Sequence, residues 1–238
     1  MSFPPVLPYS EWAGLNDYAL RGTTSPFPLA NFDLVALSVA FGVLLVSLTV
    51  HETAHAWTAD RLGDATARRL GRVSLNPLVH IDLLGTVVLP LLAFTSGLPV
   101  IGWAKPVPVN LAALREPRRD FMVIAAAGPI SNLLLAAAAT VALHTMAGAG
   151  GGTYGTAAWG LRLALQINLL LALFNLVPIP PLDGGNVLGG LLPPRLADRF
   201  DGFVRPYGFL VLYALLFTGV LNTIVFTPAF RLSRMLLP

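Results

Sequence analysis

Four long apolar segments restrict this chain to a small set of folds. They cover residues 31–58, 121–147, 157–177 and roughly 207–227 of the 238-residue sequence. A helix of about 20 apolar residues crosses a bilayer, and only helices or closed barrels satisfy their backbone polar groups there. Charged residues make up 11% of the chain, whereas soluble domains contain about 25%. The sequence therefore predicts an all-α polytopic membrane protein with about four transmembrane helices.

A fifth apolar stretch, residues 83–103, is interrupted by Gly85, Pro90 and Gly97. Its uninterrupted apolar part is short for a full span, so we expect a re-entrant or short fifth segment. The following "KPVPVN", residues 105–110, has prolines at alternate positions, and their missing N–H groups fall on one edge of an extended chain. We therefore expect a small extended or β edge segment there, with a polyproline-like surface loop as the alternative.

Basic residues predict the orientation of the spans. Loops 59–82 and 104–120 each contain four arginine or lysine residues, whereas loop 148–156 contains none. Loops rich in these residues stay in the cytoplasm, which places both basic loops on the cytoplasmic side. No basic cluster suggests nucleic-acid binding. Cysteine is absent, so any metal ion must be held by histidine or carboxylate groups.

The stretch "LTVHETAHAWTADRLGD" places His51, Glu52 and His55 near the end of the first apolar segment. Residues four apart share one face of a helix, so the two histidines can bind one zinc ion. Glu52 is rotated by about 100° and is suited to accept a proton from water as a general base. The alternative is a polar helix end in contact with headgroups, but ionisable residues inside a membrane are usually functional.

A catalytic zinc site usually has three protein ligands, and Asp183 is the best candidate for the third. It lies in "FNLVPIPPLDGGNV", residues 174–187, where prolines end a helix and Gly184 and Gly185 let the chain turn. A surface turn that carries an acidic residue is the alternative. Asp60 and Asp64 are rival ligands, although they more plausibly begin the cytoplasmic loop.

Two further groups are candidates for contact with a substrate. Asn175 can cap a neighbouring helix or donate to a developing oxyanion. In the 105–110 segment, the N–H groups of Lys105, Val107 and Val109 lie on one edge and can pair with an extended peptide, with Asn110 at the end of that edge.

The motifs "HETAH" and "NLVPIPPLDGG" together resemble the site-2 protease family of intramembrane zinc metalloproteases. The second motif matches the family pattern at Asn175, Pro178, Asp183 and Gly184. The stretches "GRVSLNPLVHIDLLG", "GWAKPVPVN" and "AAAGPISN" resemble its short bacterial branch, and the likeness covers about residues 45–190.

This resemblance implies a zinc endopeptidase that cleaves membrane-anchored proteins within the lipid bilayer. It implies one zinc ion held by His51, His55 and Asp183, with Glu52 as the base, and it favours the oxyanion role for Asn175. The family's peptide-binding and regulatory domains have no counterpart in this sequence. We expect an extracytoplasmic tail (1–30), a membrane-embedded metalloprotease core (31–190), and a cytoplasmic loop, last span and interfacial segment (191–238).

We expect a multi-pass protein of a prokaryotic cytoplasmic membrane, with its active site toward the cytoplasm. Two other functions are compatible with the sequence. One is a proteolytically inactive zinc-binding protein that retains or chaperones membrane proteins, and the other is a metal transporter. The sequence does not indicate an oligomeric state.

Overall fold

The computed structural model describes residues 34–89, 92, 104–148 and 155–238. The chain divides into two units at Gly42, and the site lies wholly in the second, Val43–Pro238. The described residues contain no β-strand. Their α-helices are α1 (Leu34–Arg61), α2 (Thr66–Arg69), α3 (Pro117–Gly148), α4 (Thr156–Asn175), α5 (Asp183–Leu191), α6 (Pro194–Phe203), α7 (Gly208–Phe217) and α8 (Thr227–Leu236).

Helix α1 ends where the sequence changes from apolar to polar. Arg61 lies in its last turn, and Gly63 follows with a φ of 113°. The N–H of Asp64 returns to the carbonyl of Ala59 over 2.9 Å, which satisfies one of the last carbonyl groups of the helix. A glycine in this position ends many helices because it adopts a positive φ without a steric penalty.

Helices α3 and α4 pack against each other through small and aliphatic side chains. Small residues allow two helices to approach closely in a membrane. Helix α8 adds Ala229 to this cluster. The buried members are Ala136, Ala139, Leu143, Ala158, Leu165, Leu169 and Ala229.

Two glycines of α5 are required by close contacts, one with α3 and one with the turn that precedes α5. A Cβ atom on Gly190 would lie 2.4 Å from Cβ of Met122. A Cβ atom on Gly184 would lie 2.3 Å from the carbonyl oxygen of Leu176. The prediction that Gly184 and Gly185 serve to turn the chain needs correction. Neither has a positive φ, and their role is close packing of the turn before α5.

Four helical segments are long and apolar enough to cross a membrane, and the sequence prediction of an all-α polytopic membrane protein is confirmed. The fourth segment is displaced from its predicted bounds. It covers Pro194–Phe217 rather than 207–227. It begins earlier because α6 and a short 3-10 turn lead into α7, and it ends earlier because Gly219 adopts a φ of 75° just after α7. The four segments are Ser38–Arg61, Pro117–Gly148, Thr156–Asn175 and Pro194–Phe217.

Several predicted features fall partly or wholly outside the described residues. Of the segment 83–103, the structure describes a π-helical turn at Leu83–Val88 and the residues 89 and 92. The tail 1–30 is outside the described range. Residues 104–110 are described and have no regular secondary structure, so the extended segment near the site is a loop and not a paired strand.

Candidate active site

The two histidines of the HExxH motif lie on one face of α1 and are almost completely buried. His51 is 5% exposed and His55 is 8% exposed. Their Nε2 atoms lie 3.1 Å apart. The helical spacing therefore brings two imidazole nitrogens to one point, as the sequence predicted.

Each imidazole is oriented by a partner on α3. Nδ1 of His55 lies 2.7 Å from the carbonyl oxygen of Ile124, and Nδ1 of His51 lies 2.6 Å from Oδ1 of Asn132. Both oxygens accept hydrogen bonds, so each Nδ1 must donate. In the neutral imidazole this leaves a lone pair on Nε2.

Asp183 completes the group as the first residue of α5. Its Oδ2 lies 3.2 Å from Nε2 of His51 and 3.3 Å from Nε2 of His55. This oxygen is buried and has no hydrogen-bond partner. Three electron-pair donors therefore converge on one point, an arrangement that is unfavourable unless a positive charge lies among them.

The spacing of the three donor atoms fits zinc. Ligands held about 2.0–2.1 Å from a tetrahedral zinc ion lie about 3.3–3.4 Å from each other. The observed separations are 3.1, 3.2 and 3.3 Å. Two imidazoles and one carboxylate are also a donor set that zinc enzymes use. In the part of the chain that the structure describes, His51, His55 and Asp183 are the histidines and acids that lie close enough together to hold a metal ion.

Gly128 of α3 lies directly against the two imidazole rings. A Cβ atom at this position would lie 2.3 Å from Nε2 of His55 and 2.6 Å from Cε1 of His51. These distances are far shorter than a van der Waals contact, so only glycine leaves both rings in place. Pro129 follows within the same helix.

Glu52 is half-buried beside the histidine pair, and a backbone group holds its carboxylate. The N–H of Val107 donates to Oε2 of Glu52 over 3.2 Å. This contact joins α1 to the loop 104–110. The carboxylate has further acceptor sites, so it can also bind water.

The loop 104–110 is anchored at several points, two of which involve amides predicted to bind the substrate. The N–H of Lys105 donates to the carbonyl of His80 over 2.8 Å, and that of Val107 is bound to Glu52. The amides of Lys105 and Val107, predicted as donors to the substrate, are therefore hydrogen-bonded within the protein, and their role toward the substrate stays a prediction. Among the described residues, Val109 alone of these three has an amide without a hydrogen-bond partner.

Two buried side chains provide the other anchors of this loop. Nη2 of Arg72 contacts the carbonyl oxygens of Lys105 and Pro106. Oδ2 of Asp64 accepts a hydrogen bond of 2.6 Å from the N–H of Asn110. The sequence did not indicate the role of Arg72, because nothing in its spacing ties it to a loop more than 30 residues later.

Asp60 and Asp64, the rival metal ligands, are bound to other groups of the protein. Asp60 forms an ion pair with Arg68. Asp64 is fully buried and also accepts from the N–H of Thr66 over 2.9 Å. Burial opposes the charge of Asp64, but hydrogen bonds from Thr66 and Asn110 outweigh it and hold its pKa below the ordinary value. Asp64 therefore acts as a structural anchor.

His80 anchors the loop that precedes it. It is 2% exposed, and its Nε2 lies 2.8 Å from the carbonyl oxygen of Ser74. Burial, together with the charge of Arg72, lowers the pKa of His80 despite the bond to Ser74. The ring fixes the loop between α2 and residue 80.

The remaining predicted residues have local hydrogen bonds. Nδ2 of Asn175 donates to the carbonyl of Leu171 over 3.0 Å, within α4. Oδ1 of Asn110 accepts from the N–H of Ala112 and starts a short 3-10 turn. The oxyanion role of Asn175 and the substrate role of Asn110 stay predictions.

A model of peptidase family M50 matches residues 153–219 of this chain. A Bacillus subtilis protein named "Putative zinc metalloprotease YwhC" is 37% identical over 195 residues, which cover 80% of this chain and 85% of that protein. No solved structure matches the chain significantly.

Two mycobacterial relatives are also similar. "Putative zinc metalloprotease Rip2" of Mycolicibacterium smegmatis is 32% identical over 180 residues, or 75% of this chain and 66% of that protein. "Putative zinc metalloprotease Rip3" of Mycobacterium tuberculosis is 32% identical over 180 residues, but these cover only 37% of its length. Because the Bacillus relative matches across most of both chains, this chain belongs to peptidase family M50, the site-2 protease family of zinc metallopeptidases.

Proposed function

We propose that this zinc metallopeptidase cleaves peptide bonds of membrane-anchored proteins within the bilayer. The observation that carries the proposal is the position of the buried His51–His55 pair inside a helix of membrane-spanning length and apolarity, Ser38–Arg61. A soluble substrate has no route to such a position, whereas a helix that diffuses in the membrane reaches it laterally. Ionisable groups at such depth are costly and are usually kept for function.

In this proposal His51, His55 and Asp183 hold the zinc ion. Zinc supplies a Lewis acid that polarises the scissile carbonyl and lowers the pKa of water. Glu52 takes one proton from the attacking water, whose oxygen bonds to the carbonyl carbon. The carbon–nitrogen bond then breaks, and Glu52 returns the proton to the leaving amine. The Val107 amide orients the Glu52 carboxylate for both transfers.

The substrate must be unwound locally, because a helical peptide bond is enclosed by its own hydrogen bonds. We propose that the free N–H of Val109 pairs with the extended substrate and that Asn110 and Lys105 flank it with exposed side chains. The second N–H of the Asn175 amide is the candidate donor to the oxyanion. Each of these contacts needs its own test.

We further propose a place for the protein in the cell. The charge of loops 59–82 and 104–120 favours an active site near the cytoplasmic face, and the bacterial relatives favour a prokaryotic cytoplasmic membrane. Water reaches such a site over a short path. The tail 1–30 is then extracytoplasmic, residues 31–190 form the protease core, and residues 191–238 form the remaining loop, span and interfacial segment.

The test is co-expression with a library of tagged single-span membrane proteins. The wild-type chain is compared with Glu52→Gln, which retains the side-chain size but cannot accept the proton. We expect specific cleavage products with the wild-type chain and a loss of about 10²–10⁴-fold in the variant. Equal cleavage by both would exclude Glu52 as the base, and cleavage of soluble tagged controls at the same rate would exclude intramembrane specificity.

A further inference from the structure

A chain of buried polar groups leads from His51 across three helices. Oδ1 of Asn132 lies 2.6 Å from Nδ1 of His51, and Nδ2 of Asn132 lies 2.8 Å from Oδ1 of Asn168. Nδ2 of Asn168 donates to Oγ of Ser47 over 2.9 Å. Ser47, Asn132 and Asn168 are 1%, 0% and 2% exposed. Helices α1, α3 and α4 are thus joined at the level of the first histidine.

Backbone carbonyl groups fix the direction of every hydrogen bond in this series of side chains. Nδ2 of Asn132 faces the carbonyl of Ser47 over 3.4 Å, and Nδ2 of Asn168 faces that of Ala164 over 2.8 Å. The hydroxyl of Ser47 donates to the carbonyl of Val43 over 2.8 Å. Since a carbonyl only accepts, each amide must direct its nitrogen toward it. Asn132 is thereby forced to present its oxygen to the imidazole.

We propose that Asn168 and Ser47 are positioning residues for the metal site, acting through Asn132 on His51. Together they hold the tautomer of His51 that carries hydrogen on Nδ1 and directs the Nε2 lone pair toward Asp183. The inference rests on the proposed function only in taking His51 as a zinc ligand. Partners of this kind behind a metal ligand commonly change metal affinity or activity by about 10- to 100-fold.

The consequence of removing Asn168 follows from the geometry. Asn132 would keep only its long contact to the carbonyl of Ser47, so its amide could rotate by half a turn. The rotated amide presents N–H to Nδ1 of His51 and stabilises the tautomer with hydrogen on Nε2. That tautomer has no lone pair for the metal. A group that served only to join helices would have no such effect on His51.

The experiment measures zinc affinity by competition with a chelator, using the full-length protein in detergent. We expect Asn132→Ala to weaken binding by about 10- to 100-fold and Asn168→Ala by about 10-fold. The double variant should bind no more weakly than Asn132→Ala alone, because both residues act through one contact. Independent effects that multiply would show that Asn168 does not act through Asn132.

A matched control separates positioning from general packing. Thr49 is two residues from Ser47 on α1 and is 3% exposed. Its hydroxyl donates to the carbonyl of Leu45 over 2.7 Å, within the same helix. Thr49→Val should leave zinc affinity unchanged. Thermal unfolding of the metal-free variants identifies any that fail to fold. Should Asn168→Ala be one of these, Ser47→Ala decides, since it removes only one hydroxyl group and should still weaken binding several-fold.

The tautomer itself provides a readout independent of activity. The chain contains four histidines, so ¹⁵N-histidine spectra of metal-free protein can be assigned with single variants. At alkaline pH the neutral ring of His51 should carry hydrogen on Nδ1 in the wild type. In Asn168→Ala a mixture of both tautomers should appear. An unchanged spectrum together with wild-type zinc affinity would overturn the proposal.

His51→Ala distinguishes failure of this inference from failure of the proposed ligand set. If His51→Ala retains full zinc affinity, His51 is not a ligand and both proposals fall. If His51→Ala loses zinc while Asn168→Ala and Ser47→Ala bind as the wild type does, the ligand set stands and only the positioning role is rejected.

Discussion

The carboxylate of Glu52 is tied to a distant loop, because its Oε2 accepts a hydrogen bond of 3.2 Å from the N–H of Val107. Within the described residues, the side chain proposed as the general base is therefore held by a backbone amide. The loop is in turn fixed by Arg72 and Asp64. This relationship changes what a substitution in the loop is expected to do.

Val107→Pro removes the amide that holds Glu52. Hydrogen bonds to charged groups contribute about 1.5–3 kcal/mol, so cleavage should fall by roughly 10- to 100-fold with unchanged zinc content. Val109→Pro is the comparison variant, since it removes the amide proposed to pair with the substrate and leaves the contact between Val107 and Glu52 in place. If Val109→Pro reduces cleavage more than Val107→Pro does, pairing with substrate matters more than the orientation of the base.

Zinc content should depend on the three converging donors. We expect His55→Ala and Asp183→Ala to lose most of the metal in elemental analysis of purified protein, because two ligands bind zinc far more weakly than three. Asp60→Ala should retain it, since Asp60 is paired with Arg68. Full retention of zinc by Asp183→Ala would remove that residue from the ligand set.

Gly128→Ala should disrupt the metal site although none of the three donor residues is substituted. The added methyl group would overlap the rings of His51 and His55, so zinc content and cleavage should both fall sharply. Gly148→Ala, on the same helix, places a methyl group where no atom lies within 4 Å. Zinc content should be normal in that variant. Normal zinc content in Gly128→Ala would mean that the rings can move aside.

Asp64 should make stability depend on pH. Because its pKa is lowered in the folded protein, its contribution is present above the unfolded value of about 3.9 and is lost as pH falls through the folded value. Asp64→Asn places an N–H group against that of Asn110 and should cost roughly 1.5–3 kcal/mol at neutral pH. The difference in unfolding free energy from the wild type should shrink only below about pH 4. A difference that is constant into strong acid would contradict this role.

The orientation of the chain can be tested by cysteine labelling, because the natural sequence has no cysteine. Leu75→Cys lies in the first basic loop, and Arg119→Cys lies in the first turn of α3, at the end of the second basic stretch. Both should be labelled from the cytoplasm, whereas Thr156→Cys should be labelled from outside. Labelling of Arg119→Cys from outside would show that 83–103 is a full span.

The sequence indicated those parts of the site that depend on short spacing. Residues His51 and His55 are four apart in one helix, and the pairing with Asp183 followed from the motif in which it lies. The spans were recognisable because an apolar run of about 20 residues is rare outside membrane helices. The end of the fourth span was missed because the sequence around Gly219 stays apolar while its backbone leaves the helix.

The polar groups behind His51 could not be predicted in the same way. Asn132 and Asn168 belong to different helices, and their contact depends on the rotation of each helix about its axis. Their one signal was the presence of an amide within an apolar segment, which marks either packing or function. The anchoring of residues 104–110 by Arg72 is likewise a contact between loops, which periodicity does not reveal.

Asp183 begins α5, while His51 and His55 belong to α1, so the two parts of the metal site are made at different times. During synthesis the histidines enter the membrane long before the chain has grown as far as Asp183. Until α3, α4 and the turn before α5 have been inserted and packed, the third donor is missing. The complete group of three donors therefore exists only after α5 has reached the histidines of α1.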